Sequence, residues 1–146
     1  MATMLPKQYE KTGCRPPPGP PPQLMFVGAP ESVRAARAYV REFIAYHLPD
    51  LAPDHTADVE LVVSELVTNA VRYGTEPGDS VLVGLTGTAT RVRVEVQDPV
   101  RRRPSFKPAS VERDRGRGLF IVEAPAECWG VLDQPFGKTV WAVVTR

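Results

Sequence analysis

The segment RVRVEVQD, residues 91–98, alternates charged and apolar side chains over its first six positions. Since successive side chains of a strand point to opposite faces of a sheet, this period of two predicts a half-buried antiparallel strand. The segment SVLVGLTG, residues 80–87, precedes it and is predicted to be a second strand, joined to the first by a short glycine and threonine turn. A sheet of this kind needs a layer packed on its apolar face.

Two amphipathic segments that precede these strands are predicted to be helices. Apolar residues recur at helical spacing from Pro30 to about His47, where proline suits the first helical turn. A second helix is predicted from about Asp54 to Tyr73, and Gly74 provides a C-terminal stop signal. These two helices are the candidates for the layer that covers the sheet.

Three more elements complete the predicted fold. Short strands are expected in QLMFVG, residues 23–28, and in KTVWAVVTR, residues 138–146. A third helix is expected within GRGLFIVEAPAECWG, residues 116–130, where Pro125 would kink the helix or delay its start. Together the elements predict an α+β fold: a two-layer α/β sandwich with a mixed, mostly antiparallel sheet and helices on one face.

A proline-rich run, RPPPGPPPQ, separates the N-terminal segment from the rest of the chain. Such a run neither continues a helix nor pairs in a sheet, and it favours the extended polyproline II conformation. Residues 1–23 are therefore predicted to be a disordered, proline-rich tail, and residues 24–146 the globular domain. A docking motif for a proline-reading domain is the alternative interpretation of the run.

The composition is that of an ordinary soluble domain, with 42% hydrophobic and 24% charged residues among 146. A net charge of +1 gives no reason to expect nucleic acid or a membrane as a partner. Two distant cysteines, Cys14 and Cys128, do not suggest a disulfide framework, so a reducing cytoplasm is expected. The cysteines and the two histidines lack the spacing of zinc ligands, so any metal would have to be bound by oxygen atoms.

Polar residues follow one border of the apolar stripe on the second predicted helix. Asp58, Glu65, Asn69 and Arg72 are separated by steps of seven, four and three residues. A solvated rim explains Glu65 alone, but asparagine is a poor helix former and gains nothing within a helix unless its amide has a partner. The alternative is a divalent cation bound by the amide oxygen of Asn69, with the carboxylate of Glu65 one turn away as a proton acceptor.

Other segments supply further candidates for a nucleotide site. A carboxylate at a strand end can accept a hydrogen bond from an exocyclic amine, and glycines before a helix let backbone N–H groups approach phosphates. Arginines beside those glycines would add positive charge. The candidates are Asp98, Arg115, Gly116, Arg117, Gly118 and Thr139.

The order of four motifs resembles the Bergerat-fold ATPases, the superfamily of gyrase, heat-shock chaperone, histidine kinase and MutL ATPases. These motifs are ELVTNAVRYG, VEVQD, GRGLFIVEA and GKTVW, and the resemblance covers roughly residues 25–144. Within that superfamily the chain is most similar to the small anti-sigma-factor serine/threonine kinases. The sequence departs from the family pattern after Asp98, where PVRRRPSF replaces the usual glycines.

The resemblance implies a role for each candidate residue. It implies ATP and Mg²⁺ as cofactors, with Glu65 as the general base and Asn69 as the residue that binds Mg²⁺. Asp98 would bind the adenine amino group, and Thr139 would lie near the adenine. The remaining implied nucleotide contacts are Arg72 and the segment that covers the phosphates, which consists of Arg115, Gly116, Arg117, Gly118 and Leu119.

The resemblance also implies a function. The chain is expected to be a cytoplasmic kinase that phosphorylates an anti-sigma-factor antagonist and sequesters a sigma factor, with a homodimer as a further expected assembly. The alternative is a non-catalytic module in which nucleotide binding switches a protein interface. A fragment of a histidine kinase is disfavoured, because no dimerising two-helix histidine segment precedes the domain.

Overall fold

The computed structural model describes residues 8–10, 22–99 and 125–145. Two helices are present in these ranges, Glu31–His47 (α1) and Pro53–Tyr73 (α2). The strands are Gln8–Glu10 (β1), Gln23–Val27 (β2), Ser80–Gly87 (β3), Arg91–Asp98 (β4), Ala126–Gln134 (β5) and Gly137–Thr145 (β6). Both predicted helices before the hairpin are confirmed to within one residue at each end, as are both strands of the hairpin.

The six strands form one sheet in the order β1-β5-β6-β4-β3-β2. Every pairing in the described part of the sheet is antiparallel. Strand β6 therefore lies between β4 and β5, and it brings the end of the chain to the middle of the sheet. The α+β fold with helices on one face is confirmed.

The main core lies between the sheet and the two helices. Val92, Val94 and Val96 of β4 are buried to 1% exposure or less, as the period of two predicts. They pack with the valines and alanine of the same face of β6 and with the apolar stripe of α2. The buried imidazole of His55 attaches the first turn of α2 to the sheet, because its Nε2 atom donates a hydrogen bond to the carbonyl oxygen of Val144 at 2.9 Å.

The opposite face of the sheet carries a buried ion pair. The guanidinium of Arg93 donates to the Glu95 carboxylate from Nε at 3.0 Å and from Nη2 at 2.6 Å, and its Cζ lies 4.5 Å from the Trp141 ring centroid. Burial lowers the pKa of Arg93 from its ordinary value, and the hydrogen bond and charge of Glu95 oppose that shift. The polar face of the alternating segment is thus partly a second, smaller core around Trp141.

The prediction of a helix through residue 130 is wrong over residues 126–130. Pro125 lies in a turn, and β5 begins directly after it at Ala126. Proline lacks the N–H group that a helix interior requires, so Pro125 disfavours a helix that continues past it. Trp129 and Val131 then fill core positions beside β6, whereas residues 116–124 lie outside the described ranges.

Two expectations about the N-terminal segment and the cysteines also need correction. Gln8–Glu10 belong to the predicted disordered tail, yet they form β1 and pair with Leu132–Gly130 of β5. Without them β5 would present unpaired backbone groups at a sheet edge. Cys128 is disulfide-bonded and fully buried, a pairing that the count and spacing of two cysteines did not suggest.

Candidate functional site

Helix α2 presents Glu65 and Asn69 one turn apart at the border of its buried face. Both side chains are half-buried, next to the fully buried Leu66 and Ala70. Neither side chain has a hydrogen bond or an ion-pair partner in the described part of the chain. Asparagine is a poor helix former, and here its amide gains no hydrogen bond from the protein, so the Glu65 and Asn69 pair is available to a ligand.

Burial changes the acid–base chemistry of Glu65. Desolvation raises the pKa of its carboxyl group above the ordinary value, because a charge is less stable at the edge of an apolar core than in water. A carboxylate with a raised pKa binds a proton more readily than a solvated one. Such a shift suits a general base, which has to accept a proton at neutral pH.

Asp98 ends β4 beside the C-terminal end of α2. The residue is 2% exposed, and its two carboxylate oxygens each lie 3.0 Å from Nζ of Lys138 on β6. Gly74 allows this approach, since a Cβ atom there would lie 2.4 Å from Oδ2 of Asp98. Gly137 allows a second close approach to Asp98, because a Cβ atom at position 137 would lie 1.9 Å from the Asp98 carbonyl oxygen. The φ of 148° at this position also favours glycine.

Thr139 lies on the other face of the sheet. Asp98 is in register with Lys138, so these two side chains share the face that carries the helices, and Thr139 points the opposite way. The Thr139 hydroxyl accepts a hydrogen bond of 3.1 Å from the Gln134 amide on β5. The structure thus brings Lys138, and not Thr139, to the carboxylate of Asp98.

Lys138 is a residue of this cluster that the sequence motifs do not indicate. The register of β6 against β4 decides which of two adjacent residues, Lys138 or Thr139, faces the helices. The apolar alternation of β6 contains that information, because Val140, Ala142 and Val144 share the parity of Lys138 and belong to the main core.

Arg72, the remaining predicted site residue within the described ranges, is not part of this cluster. Arg72 is exposed at the end of α2, and its guanidinium lies 5.3 Å from the ring centroid of the adjacent Tyr73. The phosphate-covering residues Arg115, Gly116, Arg117, Gly118 and Leu119 lie outside the described ranges.

The donor set on α2 fits Mg²⁺. Mg²⁺ takes oxygen ligands and is commonly bound through one or two protein groups together with water and phosphate oxygens. Asn69 offers one neutral amide oxygen, and Glu65 offers a carboxylate one turn away. The described residues contain no group of three or more histidine, cysteine or acidic side chains that would form an all-protein metal site.

A cavity of about 440 Å³ lies along the N-terminal half of α1, away from the α2 border. Its lining consists of Pro30, Val33, Arg34, Arg37 and Arg41. Glu60 of α2 partly neutralises this surface, since its carboxylate lies 2.6 Å from Arg41 and 3.9 Å from Arg37. The cavity is therefore a cationic groove with no contribution from Glu65, Asn69 or Asp98.

In a comparison with protein families, residues 26–143 match a family described as the histidine kinase-like ATPase domain. No match is found among curated proteins. In the described ranges, neither helix combines the length and the apolar character needed to cross a membrane.

Proposed function

Because the chain belongs to the histidine kinase-like ATPase domain family, we propose that it is an ATP-dependent serine/threonine protein kinase of the anti-sigma-factor type. The family match spans most of the chain and supports ATP as the nucleotide. The observation that supports catalysis is the unpartnered Glu65 and Asn69 pair, in which burial raises the pKa of the carboxyl group.

Each residue would have a defined task in phosphoryl transfer. Asn69 would bind Mg²⁺ through its amide oxygen, and the ion would neutralise charge on the phosphates. Glu65 would accept the proton of the attacking serine or threonine hydroxyl. Asp98 would accept a hydrogen bond from the exocyclic amine of the base, which places the base at the C-terminal end of α2 and the phosphates towards Asn69.

The proposed substrate is an anti-sigma-factor antagonist, and the proposed second partner is a sigma factor, in a partner-switching system of the cytoplasm. This assignment of partners rests on the resemblance of the four sequence motifs. Cytoplasmic thiols are kept reduced, so the disulfide of Cys128 is an observation against this compartment.

The decisive experiment is phosphate transfer from ATP to any co-encoded anti-sigma-factor antagonist, measured for the wild type and for Glu65→Gln. Glutamine preserves the shape of the side chain and removes the proton acceptor. ATP affinity should stay within a few-fold of the wild type, and transfer should fall by about 10²- to 10⁴-fold.

The pH dependence provides an internal check on the role of Glu65. A base has to be deprotonated, so wild-type transfer should rise with pH as the Glu65 carboxyl group loses its proton, at a pH above the ordinary range of glutamate. Glu65→Gln should lack this rise. A glutamine variant with the wild-type rate and pH profile would refute the assigned base.

The groove on α1 favours a second candidate function, a nucleotide-gated binding module without catalysis. Three arginines that line one cavity suit an acidic protein surface. In that case the wild type would transfer no phosphate, Glu65→Gln would bind partners normally, and charge reversal by Arg34→Glu would weaken partner binding.

A further inference from the structure

Strand β2 is an open edge of the sheet. It stands last in the strand order, and among the described strands it pairs with β3 alone. Sheet edges are usually protected by charged side chains, proline, a bulge or short length. Strand β2 consists of five uncharged residues, QLMFV, in unbroken register with β3. Strand β1 at the other edge has three residues, one of which is Glu10. Strand β2 therefore lacks the features that keep an edge from pairing with another strand.

The backbone groups on the outer side of β2 belong to its odd-numbered residues. The carbonyl of Pro22 accepts a hydrogen bond of 3.3 Å from β3, and the N–H group of Gly28 donates one of 2.8 Å to the residue before β3. Since hydrogen bonding alternates along an antiparallel strand, the even-numbered residues of β2 bond to β3. The N–H groups of Gln23, Met25 and Val27 therefore point away from the sheet, where a further strand would lie.

The side chains of β2 present apolar surface at the same edge. Six large hydrophobic side chains are exposed in the described part of the chain, and three of them lie on this strand: Leu24, Met25 and Val27, at 45%, 64% and 60%. Phe26 faces the helices, with its ring centroid 6.1 Å from that of Tyr39 on α1. Leu24 shares that face, and Met25 and Val27 lie on the other. A strand that pairs here would thus bury apolar surface on both faces of the sheet.

A second copy of β2 fits this edge. In an antiparallel pair centred on Met25, the two Met25 residues exchange both backbone hydrogen bonds, and the N–H of each Val27 donates to the carbonyl of Gln23 in the other copy. On the face of the helices, Leu24 of one copy lies opposite Phe26 of the other, which continues the contact of Phe26 with α1. No charged side chain meets a like charge in this register, so the segment is complementary to itself.

The ladder between two such strands ends at Val27. Its carbonyl oxygen already accepts hydrogen bonds from the N–H of Ala29 at 2.8 Å and from the hydroxyl of Ser32 at 2.5 Å. Both lone pairs of this oxygen are therefore used within the chain. A pairing limited to so short a segment is typical of a small and reversible interface.

We propose that this chain forms a symmetric homodimer in which the β2 strands of two copies pair antiparallel about Met25 and join the two sheets into one. The two-fold axis passes between the Met25 residues, so each copy contributes the same surface. The inference is independent of the proposed kinase activity, because none of the candidate site residues lies on β2.

Sedimentation equilibrium from about 1 to 200 μM, a range that covers weak dimers, tests the proposal. The wild type should show a monomer–dimer equilibrium. Met25→Lys and Met25→Glu should each be monomeric, because like charges then face each other at the axis. An equimolar mixture of the two variants should form dimers again, since opposite charges now meet. Phe136→Lys is the matched control and should dimerise as the wild type does, because Phe136 is 87% exposed at the turn between β5 and β6.

Hydrogen exchange of the wild type gives a second readout that needs no substitution. The amides of Met25 and Val27 should exchange more slowly at the highest protein concentration than at the lowest, whereas those of Leu24 and Phe26, which bond to β3, should not change. A wild type that remains monomeric throughout would overturn the inference and leave this edge to a strand of another protein. A dimer that persists in both Met25 variants, or a mixture that remains monomeric, would overturn the pairing about Met25.

Discussion

At the scale of single residues, the candidate site contains two kinds of polar group. Glu65 and Asn69 lack protein partners in the described ranges, and so remain available to a ligand. Asp98 and Lys138 satisfy each other and are almost completely buried. The first pair suits chemistry at the phosphates, where contacts must change during a reaction, and the second pair suits recognition of a base, where a fixed geometry gives selectivity.

Replacement of Asn69 by alanine should abolish the Mg²⁺-dependent part of ATP binding and leave the fold intact. The substitution removes the ligand oxygen, and alanine is a better helix former than asparagine. Calorimetric titration of ATP with and without Mg²⁺ measures the effect. Thr68→Ala is the matched control, because Thr68 is a half-buried polar neighbour on α2 outside the polar row. An Asn69 variant with normal Mg²⁺ dependence would refute the proposed metal ligand.

At the scale of secondary structure, the site depends on where α2 ends. The helix ends at Tyr73, and the N–H group of Gly74 still donates to the carbonyl of Ala70 at 2.8 Å. The absence of a side chain at Gly74 lets the end of the helix rest on Asp98 of β4. One glycine therefore sets both the length of the helix and its distance from the proposed base site.

Gly74→Ala should destabilise the fold by about 1–3 kcal/mol and weaken ATP binding, because the new Cβ would lie 2.4 Å from Oδ2 of Asp98. The φ of Gly74 is −113°, so the cost would be steric and not conformational. Urea unfolding measures it. In an Asp98→Ala background the cost should be smaller, since the obstructing carboxylate is gone. Equal costs in both backgrounds would show that Asp98 is not the obstacle.

The sequence predicts an element well where one periodicity continues through it. It predicts an element less well where contacts between residues far apart in the chain determine the conformation. The alternation from Val92 to Val96 predicts β4 correctly, because both faces of that strand follow one pattern. The sequence predicts a helix over residues 126–130 where the structure has β5, since their strand character depends on pairing with β6 and not on local preference. The same limit explains why the sequence motifs do not indicate Lys138, because its orientation depends on the register with Asp98.

At the scale of the whole molecule, the first two strands in chain order form the two edges of the sheet. Strand β2 lies at one edge and β1 at the other, with the four later strands between them. Edge strands protect their neighbours from pairing with other chains. The site lies away from both edges, at the junction of α2, β4 and β6, so nucleotide binding should be insensitive to β1.

Deletion of residues 1–10 should expose the edge of β5 and leave ATP affinity unchanged. Hydrogen exchange should become faster at those amides of Gly130–Leu132 that point towards β1, whereas the alternate amides remain bonded to β6. Deletion of residues 1–7 is the matched control, because it retains the strand. If the two deletions gave the same exchange rates, β1 would not protect this edge.

The pairing of β1 with β5 has a consequence for the order in which the chain acquires its structure during synthesis. Residue 8 is synthesised long before its partner, residue 132. The closure of so long a loop is entropically costly, whereas β3 and β4 pair across a short turn. We therefore expect β1 to dock last and to detach first, so that a nascent or partly unfolded chain carries an open strand edge next to a helical layer that has already formed.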